Sequence, residues 1–92
     1  MSKEETCLEE AERLVGGERM EHYGAPDENF QRIADLWSSY LSTPKQFVAV
    51  EKNDVCAMFI LAKQSRMRSA GFHRDSCTDT AGYARLQEML NG

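Results

Sequence analysis

Apolar residues recur at spacings of three and four in several separate stretches of this chain. From Glu4 to Val15, the residues Cys7, Leu8, Ala11, Leu14 and Val15 fall on one face while glutamates and Arg13 take the other, the pattern of an amphipathic helix. Gly16-Gly17 ends it. Gly16 to Pro26 has no clean period and carries two turn signals, so an ordered loop is expected there. Pro26 suits the first turn of a second helix, and Asp27 and Glu28 suit its positive end. That helix continues through Phe30, Ile33, Ala34, Trp37, Tyr40 and Leu41, and Ser42-Thr43-Pro44 breaks it.

Lys45 to Lys52 is ambiguous: Phe47, Val48 and Val50 could form a strand, a short helix or a loop on the core. With no partner strand visible, helix or loop is expected. Val55 to Ala62 is an unbroken apolar run followed by Lys63, Arg66 and Arg68, and helix formers continue to Ser69 without a turn signal. This predicts a central helix opened by Asn53 or Asp54, with basic residues at its negative end. Its apolar wrapping predicts contact with several neighbours. A loop from Gly71 through Phe72 and His73 leads to a last helix from about Asp75 to Leu90. The sum is an all-α bundle of four main helices, one domain over residues 1–92.

Composition narrows the classes. The chain has 92 residues, 41% hydrophobic and 28% charged, values ordinary for a globular domain and too short for two. At this size, folding buries only about 60 to 65% of the surface the unfolded chain exposes, so self-association into a homo-oligomer is expected to supplement a thin margin. Fifteen acidic against 11 basic residues give a net charge of −4, which argues against duplex nucleic acid as a partner. No apolar run reaches the roughly 18 residues of a membrane span, and the acidic N-terminus does not read as a signal peptide. A soluble protein of the cytoplasm is expected. Cys7, Cys56 and Cys77 form an odd set without CxxC spacing, expected to remain reduced and to pack as small hydrophobes.

Three polar features could carry chemistry. In the last helix, Asp75, Asp79, Gly82 and Tyr83 share one side. Two carboxylates one turn apart can share a divalent cation such as Mg²⁺; alternatively, Asp75 caps the helix and Asp79 bonds to a neighbouring one. His22-Tyr23-Gly24, leading through Asn29 into the second helix, could nest an anionic ligand or form a plain turn in which Asn29 ties down the loop. Lys63, Arg66 and Arg68 could bind phosphate, or remain solvated, or pair with Asp54, Asp75 or Asp79 across the bundle. The acid pairs Glu9/Glu12, Glu18/Glu21 and Glu51/Asp54 do not exceed what chance supplies at this acid content.

Two stretches carry a resemblance. His22-Tyr-Gly-Ala-Pro-Asp-Glu-Asn-Phe30 and Asp75-Ser-Cys-Thr-Asp-Thr-Ala-Gly-Tyr83 look like a family of small phage and prophage proteins catalogued as a domain of unknown function. The likeness spans about Leu8 to Leu90 and implies an all-helical fold and a phage origin. Members pass quickly from Thr-Pro into the Asp-Val helix, whereas here Lys45 to Asn53 intervenes. More remotely, the chain is similar to the MazG-type and dimeric dUTPase-type nucleoside triphosphate pyrophosphohydrolases. That likeness implies Asp54, Asp75 and Asp79 as Mg²⁺ ligands, with Lys63 or Arg66 on phosphate. Those enzymes carry Glu-x-x-Glu followed by Glu-x-x-Asp, in place of the Asp-x-x-x-Asp found here.

Two functions compete on these grounds. One is a nucleotide-related role, extending to Mg²⁺-dependent pyrophosphohydrolysis, with His22, Tyr23, Asn29, Lys63, Arg66 and Tyr83 around the ligand. The other is a non-catalytic phage protein that binds a host protein or sequesters a small nucleotide signal. Convergence of Asp54, Asp75, Asp79, His22 and Asn29 on one pocket is the requirement of the first.

Overall fold

Thr6 closes a capping box around the start of α1 (Cys7–Gly16): its hydroxyl accepts from the Glu9 amide at 3.1 Å, and the Glu9 carboxylate accepts from the Thr6 amide at 3.0 Å. The helix therefore begins at Cys7, three residues after Glu4, because Thr6 takes the capping position. The computed structural model describes residues 4–17 and 25–92, and the expected loop over Gly16 to Pro26 lies largely outside them. Pro26 stands at the first position of α2 (Pro26–Leu41), and Ser42 ends it as the sequence predicts.

Lys45 to Glu51 takes the loop alternative, in an ordered form. Thr43 and Gln46 exchange backbone hydrogen bonds around a turn, and the chain then runs extended back along α2. Two serines on α2 hold it there. The Ser42 hydroxyl accepts from the Val48 amide at 2.8 Å, and the Ser38 hydroxyl accepts from the Val50 amide at 2.8 Å while donating to the Ala34 carbonyl at 2.7 Å. These are the hydrogen bonds a partner strand would have supplied.

The central helix, α3 (Lys52–Ala70), opens earlier than Asn53 or Asp54. Glu51 is the capping residue, and Asp54 sits inside the first turn, where its carboxylate accepts from the Glu51 amide at 2.9 Å. Gly71, with φ +85°, closes the helix in a conformation that side chains resist. The last helix, α4 (Arg74–Asn91), is capped by His73 and not by Asp75: the His73 ring accepts from the Ser76 amide at 3.3 Å and meets its hydroxyl at 2.8 Å.

Among the described residues these four helices form an all-α bundle with no strand. Helix α4 is its axis, packed along α3 on one side and along α1 on the other, while α2 lies mainly on α3. Of the described helices, α1 touches α4 alone. Successive contacts from Glu10 to Arg74 and from Val15 to Gly82 advance in the same direction, so α1 and α4 run parallel. Helix α2 also meets α4 through Phe30 and Tyr83, so α2, α3 and α4 form a three-helix group with α1 on the outer side of α4, and the chain extends 61 × 31 × 21 Å.

The core gathers Val15, Phe30, Ala34, Val55, Cys56 and Leu86. An aromatic group joins it, with Phe59 stacked on Tyr83 at 5.0 Å and tilted against Trp37 at 5.4 Å and Phe30 at 6.5 Å. The apolar wrapping of α3 is only partly used. Val55 and Cys56 are fully buried, yet Leu61 is 66% exposed because neither α2 nor α4 reaches that side.

Candidate functional site

The three aspartates expected to share a cation occupy separate structural roles. Asp54 bonds the Glu51 amide at the start of α3. Asp75 is exposed in the first turn of α4. Asp79, one turn further on, is half-buried and pairs with Lys63 of α3 at 3.0 Å. Among the described residues no three His, Cys, Asp or Glu side chains gather into a group that could hold a metal ion. Of the alternatives open from the sequence, Asp79 follows the one in which it bonds a neighbouring helix, and Lys63 the one in which it pairs across the bundle.

Among the described residues the other candidates are dispersed. His22 and Tyr23, with Glu18 and Glu21, lie outside the described residues. Asn29 sits in the first turn of α2, where its side-chain oxygen receives the Arg32 guanidinium at 3.5 Å. Arg66 is exposed on α3. Tyr83 belongs to the aromatic group of the core, stacked on Phe59 and edge-on to Phe30. A half-open apolar recess does exist between α1 and α4, over Gly82 and lined by Ala11, Leu14, Val15 and Leu86 with Asp79 among its walls. Its lining offers little that would neutralise a triphosphate.

The densest polar arrangement is one that the pattern along the chain did not reveal. At the shared N-terminal end of α1 and α4, the Arg74 guanidinium pairs with Glu10 and donates to the Glu5 carbonyl at 2.7 Å. The Thr78 hydroxyl donates to Glu10 at 3.1 Å. Hydrogen bonding from Arg74, helped by Thr78 and by the charges of Arg74 and Arg13, holds the Glu10 carboxyl below the ordinary carboxylate range. Cys7 sits beside them, its sulfur 4.0 Å from the Arg74 carbonyl. The neighbouring Thr78 and Cys77 side chains, with the Arg74 charge, draw the Cys7 thiol below its usual range, whereas the neighbouring Cys7 pushes Cys77 upward. Cys7 and Arg74 are 67 apart in sequence, and only the parallel docking of two helix starts brings them together. Cys56 alone behaves as the small hydrophobe expected of all three, buried in the core with its thiol pushed up by burial.

A second feature invisible to periodicity lies at the far end of α2. Leu36 is 65% exposed and Tyr40 87%, although Tyr40 belongs to the apolar stripe read from the sequence. Leu41 is exposed beside them, and the linker returning along α2 adds Phe47, 80% exposed. The stripe outruns its neighbours: Phe30 and Ala34 are buried and Trp37 packs on Phe59 of α3, while Tyr40 and Leu41 stay exposed although the linker lies against Ser38 and Ser42.

With this geometry established, comparison with known proteins places the chain. Residues 6–91 match a family described as a domain of unknown function, DUF6378. The chain belongs to that family. Among curated relatives, the Gene 55 protein of Mycobacterium phage D29 is 46% identical over 86 residues, covering 94% of this chain and 54% of the relative. The Gene 55 protein of Mycobacterium phage L5 is 40% identical over 85 residues, covering 92% of this chain and 52% of the relative. This DUF6378 chain thus spans about half the length of the curated relatives it matches. No solved structure matches it. The expected likeness to a small phage family of unknown function holds, and the matches give no support to the remoter likeness to MazG-type enzymes.

Proposed function

We propose that this DUF6378 chain is a non-catalytic protein-binding module that docks a partner protein on the exposed end of α2. The supporting observation is the exposure of Leu36, Tyr40, Leu41 and Phe47 at this end of the molecule. Large exposed apolar side chains, two of these being aromatic, are the usual anchors of a protein interface. The platform beneath is built for rigidity, because Ser38 and Ser42 fix the returning linker through its backbone amides. A preorganised patch loses less entropy when a partner binds. The relatives being mycobacteriophage proteins, a phage origin is proposed for this chain as well, and a host protein is the partner class. The polar candidates for nucleotide chemistry point away from catalysis, since Asp54 bonds a helix start and Asp79 a lysine.

Immobilised wild-type chain is compared with the Tyr40→Ser/Phe47→Ser double variant for capture from a mycobacterial lysate. The expected result is one partner held in stoichiometric amount and reduced about tenfold or more by the double variant, with unchanged circular dichroism. Equal capture by both would overturn the reading. So would Mg²⁺-dependent pyrophosphate release from a nucleoside triphosphate that Asp79→Asn abolishes.

A further inference from the structure

We propose that the open side of α3 is the seam of an antiparallel homodimer, in which α3 of a second copy packs along it about a two-fold axis beside Leu61. The helix is apolar from Val55 to Ala62, yet among the described helices only α2 and α4 pack on it. They take the side bearing Val55, Cys56 and Phe59. The other side carries Asp54, Met58, Leu61, Ser65 and Arg68, every one of them exposed, Met58 by 42% and Leu61 by 66%. At about 100° per residue these side chains fall within about 40° of a single line along the helix. Their steps of four, three, four and three residues are the spacing by which one helix seats against another in a coiled coil.

The charges on this seam select both the occupant and its direction. Asp54 stands seven residues before Leu61 and Arg68 seven residues after it, so the seam is its own complement when reversed. A two-fold contact requires that property, because each surface must fit an identical one. Antiparallel packing brings Asp54 of each copy alongside Arg68 of the other, at both ends, and closes Met58 and Leu61 between them. Parallel packing would set aspartate against aspartate and arginine against arginine, which is unfavourable. Asp54 is exposed and gives one carboxylate oxygen to the Glu51 amide, leaving the other to accept from a second copy. Lys63 does not disturb the pattern, since it stands on the covered side and pairs with Asp79. From Asp54 to Arg68 the seam is about 21 Å long. A contact of that size lies at the small end of protein interfaces, so the dimer comes apart on dilution.

The test weighs the 92-residue chain by sedimentation equilibrium from about 5 to about 500 µM, the range a small interface calls for. The mass is expected to rise from one chain to two. Leu61→Glu alters a side chain that is already exposed, and should weaken association about tenfold or more with unchanged circular dichroism. Arg68→Glu and Asp54→Lys should each weaken it about tenfold alone, because like charges then face each other. An equimolar mixture of those two variants, once both are shown to be folded, should recover the wild-type association: the new cation meets the new acid, and the two native charges meet at the other end. Tyr40→Ser/Phe47→Ser should leave the mass unchanged, which separates this contact from the docking surface on α2. A one-chain mass throughout the range, a dimer indifferent to Leu61→Glu, a mixture of folded variants no heavier than its components, or a dimer lost in Tyr40→Ser/Phe47→Ser would each overturn the proposal.

Discussion

Two glycines illustrate how the same residue type takes opposite roles in one chain. Gly71 adopts φ +85° at the end of α3, with open space where a Cβ would stand. Its requirement is therefore conformational and not steric. Gly82 lies inside α4, where a Cβ would meet only the Val15 side chain, at an ordinary contact distance of 3.8 Å. Gly71→Ala is expected to destabilise by about 1–3 kcal/mol, and Gly82→Ala to stabilise by about 0.5–1 kcal/mol through helix propensity. Urea unfolding with an unchanged m-value checks both, and a stability loss at Gly82 would show that α1 cannot tolerate a methyl group beneath it. The sequence marked both positions. Gly71 was legible as a breaker because no helix former follows it, whereas Gly82 was legible only as part of a polar face, since its proximity to Val15 depends on α1 docking.

At the scale of elements, α1 is the weakly held member. Among the described helices it packs on α4 alone, through Ala11 and Val15, the Arg74–Glu10 pair and the Arg85–Glu12 pair at 3.0 Å. Acid should release it first. The folded pKa of Glu10 is lowered chiefly by Arg74, and that of Glu9 by the Thr6 backbone and hydroxyl. A depressed folded pKa contributes stability that is present above the ordinary carboxylate value of 4.5 and is lost as the pH falls through the folded value. Hydrogen exchange should accordingly show α1 amides losing protection below pH 4.5 before those of α3 and α4. Simultaneous loss in all helices would mean that α1 is part of one cooperative unit with the core. Helix identities were legible from spacing, but the starts of α1, α3 and α4 moved by a few residues. Those starts are set by the side chains of Thr6, Glu51 with Asp54, and His73, whose capping competes with equally plausible neighbours.

For the whole molecule, the placing of α1 outside the α2–α3–α4 group has a physical cost that a closed bundle would avoid. The Cα radius of gyration is 15.2 Å, against about 12 Å for a spherically packed chain of this length. Leu61 on α3 and the apolar group at the end of α2 remain uncovered as a result. Small-angle scattering at the mass of one chain is expected to return a value near 15.2 Å; a near-spherical particle would contradict the elongated arrangement, and twice the mass would assign the open side to a second copy. No helix among the described residues is long and apolar enough to cross a membrane. The sequence by itself determined that the chain is helical, where its helices lie and which side of α2 carries its core residues, because each of these follows from local spacing and from Pro26, Ser42 and Gly71. Only the tertiary structure decided that Asp54, Asp75 and Asp79 take separate places, that Cys7 lies against the first turn of α4, and that Tyr40 faces outward. Each of those outcomes depends on which helices become neighbours, and a one-dimensional pattern gives the face a residue occupies without giving what stands opposite.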